Sequence, residues 1–400
     1  MPCTTRQVSL YFETAAILGF VLLWGTSVFN GTVNALLRAV FVTGQLADGV
    51  HLRTDYTGIA VLDYPLAVLV AFFYSGTSGD HSPYQLFLLD AYSTLQAAYV
   101  WLYAEALRHP PRTGRKVEWI DRPVIFALLW QCFGAAILLP VYYSLHLRRA
   151  RKATTASPTV GAADLNQTRA LTPAFLLGAV VPTAVLMAPA WTGPQSRDPM
   201  AHQAILAAFQ PSPLVFSAIS AAAAWIYYKL GHDEPSSQPG TAGGGTAAAA
   251  RTRGAASWWI CAAYLQAAVI SALGHLYVMS RVLSQPGPRG AMDLVEQMYV
   301  PTSPGSRSGD EYGAAILVGG PWLFLQWDHI IISLSSLSWV YILLLNSHSV
   351  SGRTEISRAL LLLGLLGAAV VLGPGTAVSG ALLLRESGFL WEQSTSPKRV

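Results

Sequence analysis

From 314 to 345 the chain reads AAILVGGPWLFLQWDHIIISLSSLSWVYILLL, a predominantly apolar stretch whose one carboxylate is Asp328. About 20 apolar residues cross the hydrocarbon of a bilayer as a helix, which satisfies every backbone polar group within the segment. This run is long enough to cross by itself. Comparable stretches bounded by charge, Pro or Gly fall at 15–37, 57–79, 84–107, 123–147, 171–193, 204–230, 255–283 and 357–384, so about nine spans are predicted. The alternating segments of about 10 residues that build membrane β-barrels are absent. The expected fold class is therefore all-α, a polytopic integral membrane helical bundle of eight to ten transmembrane helices. Composition agrees, since only 12% of the residues are charged against about 25% in soluble domains.

Three spans carry breaks: the second at Pro65, the sixth at FQPSP and the last at LGPGT. Such interruptions survive in a membrane only where protein or water satisfies the freed backbone, so they mark kinks or cavity walls. The polar connections at 148–169, 231–254 and 284–313 are read as flexible loops of one transmembrane domain covering 1–400, the Gly/Ala-rich second one most clearly. No repeat of 20–50 residues and no duplicated half is found. The net charge of +4 comes mainly from loop Arg residues, which orient membrane proteins, and no nucleic-acid partner is expected. Cys3, Cys132 and Cys261 are far apart and have no CxxC spacing, so neither a disulfide framework nor a zinc site is indicated. Glu13 interrupts any leader before the first apolar segment, which is expected to be retained as an anchor.

An ionised side chain at the bilayer centre costs roughly 2.5–3.5 kcal/mol on insertion scales, so each intramembrane acid is a site hypothesis. Asp63 in TGIAVLDYPLAVLV, Asp90 in YQLFLLDAYSTLQAAYVWLYAEAL and Asp328 stand out. Glu105 is a weaker case because it lies beside the basic RHPPR end. At 100° per residue Asp90, Thr94, Ala97 and Trp101 share one helix face, and Asp328, Ser335 and Trp339 share another. Each acid thus looks along a stripe with a hydroxyl and an indole. The plain alternative is that these acids bond to neighbouring hydroxyls, backbone or Arg and fix helix packing. Asp63 and Asp90 lie at levels roughly 12 Å apart, which argues against a carboxylate dyad. His329 is 100° round the helix from Asp328, and a lone His there is more often a packing residue. His275 is read the same way. Tyr64, Trp101, Trp327 and Trp339 are the candidate lining of a pocket whose π-faces stabilise a cation, with interface belts and packing filler as the alternative.

The segments GIAVLDYPLAVLVAFFYSGTSG and LFLLDAYSTLQAAYVWLYAEALR and the late PWLFLQWDHIIISLSSLSWVY helix resemble the larger membrane-bound terpene cyclases of fungal secondary metabolism, the group with the ascochlorin, ascofuranone and macrophorin cyclases. The likeness is best over the first hundred residues and the late acidic helix. It implies an enzyme that protonates an epoxide or terminal olefin of a farnesyl-type chain, carried on a meroterpenoid, and guides the cyclisation of the carbocation. By that similarity Asp63, Asp90 and Asp328 are the catalytic acids, with Asp63 or Asp328 as proton donor and Asp90 orienting. Neither DDxxD for a Mg-bound diphosphate nor the DxDD of soluble protonation-initiated cyclases is present. The expectation is acid catalysis with no metal and no cofactor. The expected partners are a hydrophobic prenylated small molecule, the lipid bilayer and other pathway enzymes, and the expected location is the endoplasmic reticulum membrane. The competing expectation is a proton-coupled transporter for a hydrophobic metabolite, with the acids as relays.

Overall fold

The computed structural model describes residues 5–47, 49–108, 118–155, 164–231, 244–304, 310–346 and 358–395. Among these the chain is helical apart from connecting segments and one isolated bridge between Gln45 and His51. The main helices are α1 (Thr5–Phe20), α2 (Thr32–Arg38), α3 (Ala60–Thr77), α4 (Ser82–Arg108), α5 (Pro123–Phe133), α6 (Ala135–Thr155) and α7 (Leu165–Phe175). They continue as α8 (Pro199–Phe209), α9 (Ser212–Lys229), α10 (Gly244–Leu283), α11 (Gly287–Tyr299), α12 (Asp310–Leu345), α13 (Arg358–Leu372) and α14 (Pro374–Thr395). π-Helical turns extend α1 through Val21–Gly25, α2 through Ala39–Thr43 and α7 through Leu176–Val180.

Among the described residues five helical runs are long and apolar enough to cross a membrane: Arg6–Phe29, Ala60–Thr77, Leu165–Leu186, Gly254–Leu283 and Ala314–Leu345. The α8–α9 pair, bent by 58°, makes a sixth if counted as one broken span. All nine predicted stretches are helical, but three do not pass this test, each for its own reason. Helix α4 is whole yet carries Gln85, Asp90, Gln96 and Glu105. The 123–147 stretch is cut at Gly134, with φ 98°, and the 357–384 stretch at Gly373, with φ 91°, just before Pro374. The break expected at Pro65 does not occur, and α3 runs through it. Pro65 lies in the second turn, so the carbonyl it leaves without a donor belongs to Val61 at the exposed start of the helix.

All three stretches expected to be loops are partly helical. Within 231–254, α10 starts at Gly244, while 232–243 lie outside the described residues. Within 284–313, α11 follows an Ala291, Leu294, Val295, Met298 spacing, one helix face, and buries Leu294 and Met298. In the 148–169 connection α6 reaches Thr155, and α7 starts behind Asp164, whose side chain accepts from the amides of Asn166 and Gln167. Residues 156–163 lie outside the described set.

Helix α4 is the axis, which explains how a helix so polar persists: it is surrounded by protein, where its carboxyls Asp90 and Glu105 find partners. Its second half, around Ala97–Leu102, packs into a core with α6, α7, α10, α12 and α14. Its first half, Tyr84–Leu88, packs with α2, α3, α8 and α11. Gly274 of α10 lies so close that a Cβ would sit 2.8 Å from Ser93 Cβ. The outer faces carry Ile17, Phe20, Val28, Leu360, Leu363 and Val370 exposed. Exposed apolar side chains along membrane-length helices suit contact with lipid.

Candidate active site

The site begins at a broken helix. Gly134 separates α5 from α6 in a conformation that favours glycine, and the break strands the carbonyl at the end of α5 and the amides at the start of α6. Trp24 Nε1 donates to Phe133 O at 2.9 Å, and Ala136 N donates to Asp328 Oδ1 at 2.7 Å. Two side chains from distant segments thus satisfy the freed backbone, and both border the same cavity. A Cβ at Gly134 would meet Leu23 Cδ2 at 2.4 Å and Asp328 Oδ1 at 3.2 Å. Gly134→Ala is therefore expected to cost about 1–3 kcal/mol of backbone strain and to displace the Asp328 carboxyl. Thermal unfolding measured beside turnover checks this, and unchanged values for both would refute it.

The cavity has a volume of about 370 Å³, within the roughly 300–1,000 Å³ range of sites that take small organic ligands. It lies between α2, α3, α4, α5, α12 and the turn after α1. Its aromatic wall is Trp24, Phe72, Phe73, Tyr92, Trp130 and Phe324. Asp328 is its one carboxyl among the described residues, and neither Lys nor Arg lines it. Helix α12 contributes Leu325, Asp328, His329 and Ile332, the i, i+3, i+4, i+7 stripe of a helix. Although 100° apart, Asp328 and His329 thus border one space, because the cavity is wider than a single row of side chains.

The three candidate acids stand in three places. Asp90 is buried behind the cavity wall, with both oxygens engaged: Oδ1 lies 2.7 Å from His275 Nδ1, and Oδ2 accepts from Tyr299 Oη at 2.6 Å. His275 Nε2 lies 3.2 Å from Val370 O. A carbonyl only accepts, so Nε2 carries hydrogen and one further proton is shared between Nδ1 and Asp90. Burial and the Asp90 carboxylate beside it hold the Tyr299 phenol well above its ordinary range, which keeps it a donor. Asp90 thereby ties α4 to α10 and, through Tyr299, to α11. The same α11 terminus is held by Gln326, whose Nε2 donates to the carbonyls of Gln297 at 2.9 Å and Met298 at 3.0 Å.

Asp63 lies in the first turn of α3, outside the cavity lining. Its Oδ1 accepts from Thr57 N at 2.7 Å and Thr57 Oγ1 at 2.8 Å, and its Oδ2 accepts from Gly58 N at 3.0 Å. This arrangement closes the 57–63 turn onto the helix start. Asp63→Ala is expected to retain turnover with a modest loss of thermal stability, and loss of turnover at unchanged stability would contradict that.

None of Tyr64, Trp101, Trp327 and Trp339 lines the cavity. Trp101 and Trp339 lie 11 residues beyond Asp90 and Asp328, about 16 Å along each helix. Both are fully buried in packing, with Trp101 Nε1 donating to Ser379 Oγ at 2.8 Å and Trp339 Nε1 donating to His146 Nδ1 at 3.2 Å. Trp327 packs with the cluster of Leu23, Ala136 and Ile331. Tyr64 is exposed, its ring 5.1 Å from that of Phe41. The aromatic wall comes from other positions. Phe324 is one turn before Asp328, and this i, i+4 relation was the available signal; Trp24 and Phe72 offered none, since their helices meet α12 only in the tertiary fold.

Glu105, the weaker candidate in sequence, is the most heavily partnered carboxyl. It accepts from Tyr264 Oη at 2.8 Å, lies 3.0 Å from His146 Nε2, pairs with Arg385 and is 3.5 Å from Arg108 Nε. Arg108 in turn pairs with Glu386. This buried ionic cluster joins α4, α6, α10 and α14, away from the cavity.

A helical bundle with membrane-length apolar helices, enclosing an aromatic-walled cavity with one acid, is the class of protein that fold and site define. The chain belongs to the CtvD family, whose domain matches residues 7–389. It is similar to Terpene cyclase DEP1 of Alternaria brassicicola, at 29% identity covering 97% of this chain and 100% of the relative. Terpene cyclase DEP1 of Fusarium langsethiae is 26% identical, over 96% of this chain and 99% of the relative. Terpene cyclase alnG of Emericella nidulans is 24% identical, over 94% and 93%. No solved structure matches the chain. This kinship with fungal cyclases supports an enzyme of the terpene cyclase type.

Proposed function

We propose that the protein is a membrane-embedded terpene cyclase of the endoplasmic reticulum. In this reading it protonates an epoxide or terminal olefin of a farnesyl-type chain on a meroterpenoid, and Asp328 is the proton donor. The observation that carries the reading is that Asp328 is, among the described residues, the one carboxyl bordering a mainly apolar and aromatic cavity. In its neutral form the carboxyl passes its proton to the oxirane oxygen, the C–O bond breaks as an internal alkene attacks, and the carboxylate left behind keeps the Ala136 amide as donor. The faces of Trp24, Tyr92 and Trp130 hold the migrating cation, and the apolar walls keep water from quenching it early. Asp90 holds the α4 wall in place through His275 and Tyr299, and Asp63 braces the start of α3.

The test is turnover of a phenol bearing a terminal epoxyfarnesyl chain, by microsomes containing wild type, Asp63→Asn, Asp90→Asn or Asp328→Asn at matched protein levels. Cyclised product from wild type and its loss in Asp328→Asn are expected. Cyclisation that survives Asp328→Asn would remove this residue as donor, and no cyclised product from wild type would overturn the substrate class.

A further inference from the structure

Once Asp328 has given its proton and the rings have closed, the cation has to lose a proton for the reaction to end as an isomerisation. The cavity lining limits which group takes that proton. It holds Asp328, His329 and the weakly basic Ser27, Thr32, Gln131, Cys132 and Tyr92 side chains. His329 is the one lining group, other than the donor itself, that is a good proton acceptor at neutral pH.

The packing of His329 fits such a role. The residue is only 7% exposed, and buried imidazoles are ordinarily hydrogen-bonded. Among the described residues His329 makes no hydrogen bond, in contrast to the equally buried His146, His202 and His275, each held by a carboxylate or hydroxyl. Its ring is fixed instead by rings, Phe87 edge-on at 5.9 Å and Tyr299 tilted at 6.3 Å. Tyr299 is itself engaged as donor to Asp90. Aromatic packing thus orients the imidazole while leaving its nitrogens without a protein partner.

Resting on the cyclase reading above, we propose that His329 is the base that terminates the reaction. The unprotonated ring nitrogen takes a proton from a carbon next to the cationic centre, and the electrons of the broken C–H bond become the new C=C. Asp328 has lost one proton to the oxirane oxygen and His329 has gained one, so substrate and product are isomers. After release, the imidazolium returns its proton to the Asp328 carboxylate through water entering the emptied cavity. The two groups stand 100° apart on one helix. Initiation and termination therefore occur at different points of the cavity wall, as ring closure requires, because each closure carries the cation away from the oxygen where it began.

The experiment compares wild type, His329→Gln and the smaller His329→Asn with the epoxyfarnesyl phenol, reading substrate consumed, product identity by mass spectrometry, and thermal unfolding. The expected result is continued consumption with loss of product uniformity. One dominant alkene gives way to several isomeric alkenes and to alcohols heavier by one water, because the cation persists until solvent or a less well-placed group meets it. A role confined to packing would change unfolding or rate without altering the product set. The same single alkene from any folded variant would overturn the proposal, and so would loss of substrate consumption by a variant that unfolds like wild type, which would place His329 before ring closure. A wild type that leaves the substrate untouched would instead bring down the cyclase reading beneath it.

Discussion

Asp328→Asn is expected to lower cyclised product by about 10²–10⁴-fold, the contribution of a positioned general acid, with thermal unfolding close to that of wild type. The two effects separate because Asn keeps the carbonyl oxygen that accepts from Ala136 N and loses only the acidic proton. The start of α6 therefore stays satisfied and Gly134 keeps its conformation. Product formed per unit of folded protein is the measurement. A variant that loses activity together with its folded population would show that Asp328 serves the helix junction and not the chemistry.

The second large effect is on stability. Glu105→Ala is expected to cost about 3–5 kcal/mol, the order found when one partner of a buried ion pair is removed. It leaves the buried Arg385 without the carboxylate it pairs with and removes the acceptor of the Tyr264 phenol. The measurement is the thermal unfolding midpoint of the detergent-solubilised protein. The double variant Glu105→Gln, Arg385→Met should be more stable than Glu105→Ala, since no uncompensated charge then remains at that pair. A double variant no better than the single one would show that the pair does not hold α4 to α14.

Much of the architecture was legible because membrane helices advertise themselves. Ala314–Leu345 and Leu165–Leu186 are long, apolar and nearly free of charge, so their composition alone requires a helix. The breaks at FQPSP and LGPGT appear where Pro and Gly place them. Helix α11 was hidden because its apolar face is one stripe on an otherwise polar segment. Of the candidate site, Asp328 stood out in the sequence because a carboxyl inside an apolar helix is costly. Its separation from Asp63 and Asp90 was not legible, and neither was the identity of the cavity aromatics, because helical periodicity tells which residues share a face but not what that face meets.

Sequence alone determined that this chain forms an all-helical bundle suited to a membrane, and that any acid inside it needs either a partner or a task. Tertiary structure decided which acids are taken up by partners and which one borders the cavity. Glu105 finds Arg385 at a separation of 280 residues and Asp90 finds His275 at 185, so both carboxyls are taken up by the fold. Asp328 reaches the Ala136 amide, 192 residues earlier, at the start of a helix that follows a break, and its carboxyl remains at the wall of the cavity. The physical reason is that the cost of burying a charge is local and readable from neighbours in the chain. Its compensation comes from groups that only folding brings within hydrogen-bond reach.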